Sequence, residues 1–191
     1  MMSRDPGHFR LLAPFYERFI QPREPEKILG LLGLPQPEGT VLDAGGGTGR
    51  VAQFLVGRTD QVVVADQTFE MLREARRKQG ITAVNSLTED LPFANHHFCC
   101  IIMVDALHHV ANQVATIHEL WRVLKPGGRI IIEEPDIRNF RVKLLALGEK
   151  LALMRSHFLS PQQIFSLFDN EAMKNIVVDG WTAWMVIEKS K

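Results

Sequence analysis

Cysteine is scarce in this chain, and the little there is cannot crosslink it. Cys99 and Cys100 are the only two cysteines in 191 residues, and they are adjacent. Neighbours do not readily meet disulfide geometry, so no disulfide framework is expected. Two thiols are also too few for a structural zinc site. An excess of either charge is missing as well. Lys plus Arg and Asp plus Glu number 22 each, and the formal net charge is zero. Binding to nucleic-acid phosphates needs a basic excess. The balance therefore speaks against a nucleic-acid partner, and it gives no support for an anionic-membrane binder. Long apolar runs are absent too. The longest, Phe98 to Val104, falls far short of the ~20 residues that span a bilayer. The opening MMSRDPGHFR has no apolar leader core. What is present is a globular composition, 46% apolar and 23% charged, enough for a real core. The expectation is a reduced, cytoplasmic, single-domain protein.

No repeat or low-complexity tract stands out. Residues 8–20 (HFRLLAPFYERFI) have helical spacing interrupted by Pro14, which predicts two short helical pieces. A helix is predicted at 24–32 and a turn at LPQPEG. TVLDA (40–44), QVVVAD (61–66), ITAVN (81–85), FCCIIMV (98–104) and RIIIEE (129–134) read as strands. The continuous apolar runs among them suit strands buried on both faces. Helices are predicted at 48–57, 68–78 and 112–124, the last stopped by Pro126-Gly127-Gly128. Strands alternating with helices imply βαβ crossovers and a parallel sheet.

After residue 135 the character changes. Phe140, Leu144, Leu147, Leu151 and Met154 form one helical stripe, most simply a core face. A lid over an apolar substrate or a dimer face is the functional alternative. Ser160-Pro161 opens another short helix. NIVVD (175–179) and TAWMVIE (182–188) flank Asp179-Gly180, a hairpin signal. The expected fold is α/β: a Rossmann-like, doubly wound, seven-stranded sheet, mostly parallel with a C-terminal antiparallel hairpin. Its expected parts are an N-terminal helical cap (1–35), a cofactor-binding core (36–135), a helical insertion (136–170) and the hairpin (171–191).

The chemistry concentrates in VLDAGGGTGR (41–50), between a strand and a helix. Glycines there let the backbone turn tightly and approach a ligand, at the strand ends where open α/β sheets bind ligands. Gly47, Gly49 and Ala52 also fit a dinucleotide pattern, so a NAD-binding oxidoreductase is a rival, and a bare turn is the bland alternative. Asp43 would repel a pyrophosphate and attract a cationic group such as an ammonium. Asp66, closing the second strand, suits paired acceptance from ribose hydroxyls; its plain alternative is a helix N-cap.

These segments, with DLPF (90–93), FCCIIMVDALHHV (98–110) and LWRVLKPGGRIIIEEP (120–135), resemble the successive motifs of class I S-adenosylmethionine-dependent methyltransferases. The match is close over roughly 40–135. HFRLLAPFYERF is similar to the N-terminal helix of the ubiquinone/menaquinone C-methyltransferase group and its small-molecule relatives. The resemblance implies S-adenosylmethionine as cofactor and a small-molecule acceptor, with no nucleic-acid partner. It places Asp43, Ala44, Gly45 and Gly47 at the methionine part, Asp66 on the ribose, and Gln67 and Met71 beside the nucleoside. Leu87 and Thr88 would flank the adenine, and Val104 and Asp105 the mouth. Tyr16 would close over the sulfonium, a cation–π contact.

Two positions depart from the family pattern. Leu87 stands where an acid usually meets the adenine amine, with Asn85, Ser86 or backbone carbonyls as substitutes; Cys99 replaces the acid that opens the fourth strand. The Leu87 change motivates the alternative of a cofactor-binding protein without transferase activity. A base-flipping methyltransferase is disfavoured because MVDALHHV stands where its Pro-Pro-aromatic motif would be. A sulfonium methyl is already activated, so the protein mainly aligns the nucleophile, and a base is needed only where a proton must leave. His108 and His109 are the candidate catalytic residues, their alternative being hydrogen-bonded turn residues. No metal site is expected at His96-His97, which lacks a third ligand. Cys99 and Cys100 read as core residues, and His157 as a surface residue. The caps are small, so a second copy of the chain is a candidate partner in completing the site.

Overall fold

The computed structural model describes residues 25–33, 39–151, 156–168 and 172–191. The helical pieces expected at 8–20, Tyr16 among them, lie outside the described residues. The elements, in chain order, begin with helix α1 (Pro25–Leu32) and strands β1 (Thr40–Ala44) and β2 (Gln61–Asp66). Helix α2 (Phe69–Ala75) and strands β3 (Ile81–Asn85) and β4 (Phe98–Val104) follow. Then come helix α3 (Gln113–Val123), strand β5 (Leu124–Pro135), and helices α4 (Phe140–Leu151) and α5 (Pro161–Ser166). Strands β6 (Met173–Asp179) and β7 (Thr182–Glu188) complete the chain.

The seven strands form one sheet in the order β3-β2-β1-β4-β5-β7-β6. Strands β1 to β5 pair in parallel, and β7 runs antiparallel to both β5 and β6. The doubly wound sheet with its antiparallel end is the architecture the strand pattern predicts. Its logic lies in alternation along each strand. Leu42, Ile101, Met103 and Ile130 point to one face, with Ile117 and Leu120 of α3 and Ile164 of α5. Val41, Cys100, Ile102 and Ile131 point to the other, against Ile28 and Leu32 of α1 and Leu72 and Ala75 of α2. Both faces of the sheet are thus buried, which is why β1, β2 and β4 read as near-continuous apolar runs.

Four expectations need correction. The helix predicted at 48–57 is instead a string of turns around one 3₁₀ turn, Ala52–Phe54. An α-helix would need Ala52 N–H to donate to Thr48 O. That N–H donates to the Asp43 carboxylate instead (3.2 Å), and Thr48 O accepts from Lys78 Nζ (2.9 Å). Helix α3 ends at Val123, before Pro126, because Leu124 is already extended and opens β5. The hairpin turns one residue later than its signal. Asp179 pairs with Thr182, so Gly180-Trp181 form the turn, with Gly180 at φ +60°. The apolar stripe of α4 is not a core face where its side chains are described: Phe140, Leu144 and Leu147 are exposed. Among the described side chains of the helix Val142 is the buried one, and those of Leu151 and Met154 are not among them. The Ser160 cap is present in full, with Gln163 completing a capping box. Cys100 is buried and Cys99 half-buried, and both are free thiols in β4.

Among the described residues, no helix is long and apolar enough to cross a membrane, and no cluster of three or more metal-ligating side chains exists.

Candidate functional site

A cleft opens at the carboxyl ends of β1, β2 and β4, enclosing about 880 Å³ including space open to solvent. This is the crevice where an open parallel sheet presents its loops. Its floor is the turn after β1. Gly45 N–H donates to Ala65 O (2.7 Å) and Gly49 N–H to Gly46 O (2.8 Å), tying the turn to β2 and to itself. Gly45 sits at φ +68°, where a Cβ would stand 2.8 Å from that of Ala106. A Cβ on Gly46 would stand 2.5 Å from Cγ of Asp43. Only a bare backbone can lie this close to the Asp43 carboxylate and to the loop after β4.

Asp43 is almost wholly buried under that turn. Burial pushes its pKa up to about 7, with Arg50 and the Ala52 N–H pulling it partly back. It is thus poised to ionise when a cation arrives. Asp66 stands at the end of β2. Its Oδ2 accepts from Gly47 N–H (2.9 Å) and its Oδ1 from Thr68 N–H (2.7 Å). Asp66 is not the helix N-cap that its plain alternative makes it: Thr68 holds that position, and Asp66 accepts from the Thr68 N–H two residues ahead. The bond to Thr68 holds the entry to α2, and the carboxylate lies in the cleft lining. Asn85 Nδ2 donates to Asp66 O and Gln67 O (2.9 Å each), fixing the neighbouring loop.

The rim carries two more acids and one cation. Asp105, after β4, has φ +51° and donates its N–H to Glu133 O (3.0 Å). Its carboxylate faces Arg50 at 3.8 Å. Glu89 accepts from the N–H groups of Ala111 and Asn112 (3.0 and 3.1 Å) and from Thr88 Oγ1 (3.3 Å). It clamps the loop into which α3 opens.

The two histidines have different places. His109 lines the cleft, and its Nδ1 is 3.3 Å from Ser156 Oγ. Burial, aided by His108, lowers its pKa to about 3, so it is neutral at physiological pH. His108 lies behind it, with ring centroids 3.9 Å apart, and stacks on Phe158 at 4.4 Å. His108 Nδ1 makes a 2.6 Å hydrogen bond with Glu134 Oε2, while Oε1 accepts from Leu107 N–H (2.8 Å). The turn-residue reading therefore describes His108 well.

Of the residues singled out in the sequence, Asp43, Gly45, Gly47, Asp66, Gln67, Met71, Thr88, Val104, Asp105 and His109 all line this one cleft. Ala44 is buried in β1, and Leu87 is 43% exposed outside the lining. Tyr16 lies outside the described residues. Sequence reasoning missed Thr48, Arg50 and Glu89, which line the cleft as well. The first two stand inside the quoted VLDAGGGTGR, and a charged residue closing a glycine loop is itself a signal. Glu89 precedes DLPF, but nothing local distinguishes it from a solvated loop acid.

Residues 42–132 match a family model described as a methyltransferase domain. The ubiquinone/menaquinone biosynthesis C-methyltransferase UbiE of Pseudomonas putida is 41% identical over 104 residues, covering 49% of this chain and 41% of that protein. The chain thus spans about two fifths of the length of the curated relatives it matches. The complex between the Haloferax volcanii Trm112 methyltransferase activator and a methyltransferase contains a similar chain, with TM-score 0.78 at 18% identity and 100% of both chains covered. The geranyl diphosphate C-methyltransferase of Streptomyces coelicolor, solved with Mg²⁺, geranyl diphosphate and S-adenosyl-L-homocysteine, gives a TM-score of 0.68 at 17% identity. That match covers 87% of this chain and 76% of the other. At these identities the two structures speak for the fold.

Proposed function

From the methyltransferase domain matched by residues 42–132, we propose that this chain binds S-adenosylmethionine in the cleft and transfers its methyl group to a small-molecule acceptor by in-line displacement. The observation that carries this reading is the charge of the lining. Among the described residues, Asp43, Asp66, Glu89 and Asp105 face the cleft with Arg50 as its one Lys or Arg. Such a lining attracts a ligand bearing a sulfonium and an ammonium and repels a pyrophosphate. A dinucleotide site would also use a helix N-terminus after the glycine loop. Here the loop leads into a 3₁₀ turn, and the Ala52 N–H is taken by Asp43.

The donor set fits the cofactor in other respects. Thr48 Oγ1, in the turn that floors the cleft, is buried and has no hydrogen-bond partner among the described residues. Bound S-adenosylmethionine supplies an activated methyl group on sulfur. Asp43, Gly45 and Gly47 would hold its charged amino-acid end, Asp66 the ribose, and Met71 and Thr88 the base. The protein's own part is to bind, orient and exclude water. His109, neutral and facing the cleft, would orient the acceptor by hydrogen bonding. With its pKa lowered to about 3 it is a weak base, which suits an acceptor that need not lose a proton before attack.

The Pseudomonas putida relative is named as a C-methyltransferase, which makes a carbon nucleophile the first acceptor class to test. A cytoplasmic location, the absence of a nucleic-acid partner, a second copy completing the site, and the division at residues 35, 135 and 170 are further parts of this reading. Calorimetry tests its core. S-adenosylmethionine and S-adenosylhomocysteine are expected to bind and NAD is not. Binding of NAD alone would overturn the reading.

A further inference from the structure

Helix α4 is built inside out. Phe140, Leu144 and Leu147 are 71%, 53% and 53% exposed, while Val142 is 2% exposed. At about 100° per residue, the three exposed positions fall within an arc of about 60°, and Val142 lies on the opposite side. The helix therefore docks on the protein through one side and turns a compact apolar stripe to the outside. Arg141 and Lys143 are exposed and fall on the two flanks of that stripe. Among the described residues neither has an acidic partner; Arg138, before the helix, is held by Asp136 at 2.6 Å. An apolar line with a cation on each flank matches the outward half of a helix lying in a bilayer interface; the other half, around Val142, packs on the protein instead of facing water.

The topology puts α4 near the cleft. It follows the carboxyl end of β5, on the side where the strand ends open. Just beyond it, His157 N–H donates to His108 O (2.8 Å) and Ser156 Oγ meets His109.

We propose that the outward face of α4 docks on an anionic lipid surface, with Phe140, Leu144 and Leu147 entering the headgroup–acyl boundary and Arg141 and Lys143 meeting the lipid phosphates. A second copy of the chain is the poorer occupant. Three side chains cover little of the ~1,200 Å² that a stable interface buries, and both flanks are basic, so self-pairing sets like charges together. The zero net charge of the chain hides this surface because the cations are local.

The test is sedimentation of the full chain with phosphatidylglycerol/phosphatidylcholine vesicles and with pure phosphatidylcholine vesicles. Wild type is expected to bind the anionic vesicles, to bind neutral ones far less, and to weaken as salt is added. The double substitution Leu144→Asp/Leu147→Asp should cut binding at least ~10-fold, with melting temperature and S-adenosylhomocysteine affinity unchanged because both side chains are exposed. Arg141→Glu/Lys143→Glu should cut it by more than the ~5-fold that one cation contributes. No binding by wild type, or equal binding by the Leu144→Asp/Leu147→Asp variant, overturns the proposal. So does a concentration-dependent dimer abolished by that variant, which would make the second copy the occupant. Vesicle binding is measured without cofactor, so this outcome is separate from that of the methyl-transfer reading.

Discussion

The floor of the cleft and the helix beside it obey the same sequence grammar to opposite ends. On the floor, apolar runs end in acids, and each acid is caught by backbone: Asp43 by Ala52 N–H, Asp66 by the N–H groups of Gly47 and Thr68. In α4 the apolar period is equally clear, yet the stripe faces outward and Val142 alone of the described side chains is buried. Periodicity announces an amphipathic element; it does not say what lies against the apolar side. A strand between two parallel neighbours has no such freedom, because both its faces are covered.

The sharpest way to break the contrast is at the hinge between the two regions. Glu134, near the end of β5, holds His108 Nδ1 and Leu107 N–H in the interior. Glu134→Ala removes the acceptor for both, and losing a buried charged partner costs roughly 3–5 kcal/mol. Urea unfolding should show that loss, and Glu134→Gln should recover part of it. A cost under ~1 kcal/mol would mean that the loop after β4 is held by packing alone.

Next in size is Asp43→Asn. The folded-state pKa is raised from 3.8 to about 7. Below pH 4 the carboxyl is protonated whether the chain is folded or not, and its burial costs nothing in charge. Between pH 4 and 7 the folded protein keeps a proton that the unfolded chain has lost. Above pH 7 the full charge is buried, so wild type loses stability as pH rises through this window. An asparagine at this position carries no charge, and its amide oxygen can still accept from Ala52 N–H. The variant should therefore gain on wild type by roughly 2–4 kcal/mol from pH 4 to pH 8, while binding S-adenosylmethionine more weakly. In wild type, cofactor binding at pH 6 should release protons, seen as a buffer-dependent enthalpy in calorimetry.

Asp66→Ala comes third. It should weaken S-adenosylhomocysteine binding by ~1.5–3 kcal/mol, the size of hydrogen bonds to a charged group. The circular dichroism spectrum should not change, since this acid sits at a strand end rather than in the core. Unaltered affinity would reduce Asp66 to a brace of the α2 entry, which its bond to Thr68 already makes it in part.

The sequence pattern made the sheet legible because β-branched and apolar runs bounded by glycine and acids have few other readings. It made Asp43 and Asp66 legible because a carboxylate ending a buried strand has to be aimed somewhere. It misled at 48–57, where helical spacing is real but Asp43 and Lys78 take the two backbone groups that an α-helix would join. Lys78 reaches in from 30 positions away, beyond any local window, and Asp43, nine positions upstream, meets Ala52 only because the glycine turn folds back over it. It was silent on the division of labour between His108 and His109, set by a partner 26 positions away in β5. Leu87 was picked out by family position alone, and the chain turns it outward, 43% exposed.

The smallest effect belongs to the outer region. Leu144→Ala removes most of a leucine side chain, which in a packed core costs ~2–5 kcal/mol. The same truncation at Ile101, fully buried in β4, should show that cost in urea unfolding. At Leu144 the side chain is mostly hydrated already, so little apolar area returns to water on unfolding. Alanine also has the higher helix propensity, which offsets part of what is lost. The expected change is within ~0.5 kcal/mol, with no change in cofactor affinity. A loss above ~2 kcal/mol would mean that the stripe is covered in solution, by another copy or another part of the chain, and α4 would then join the floor as a packed element.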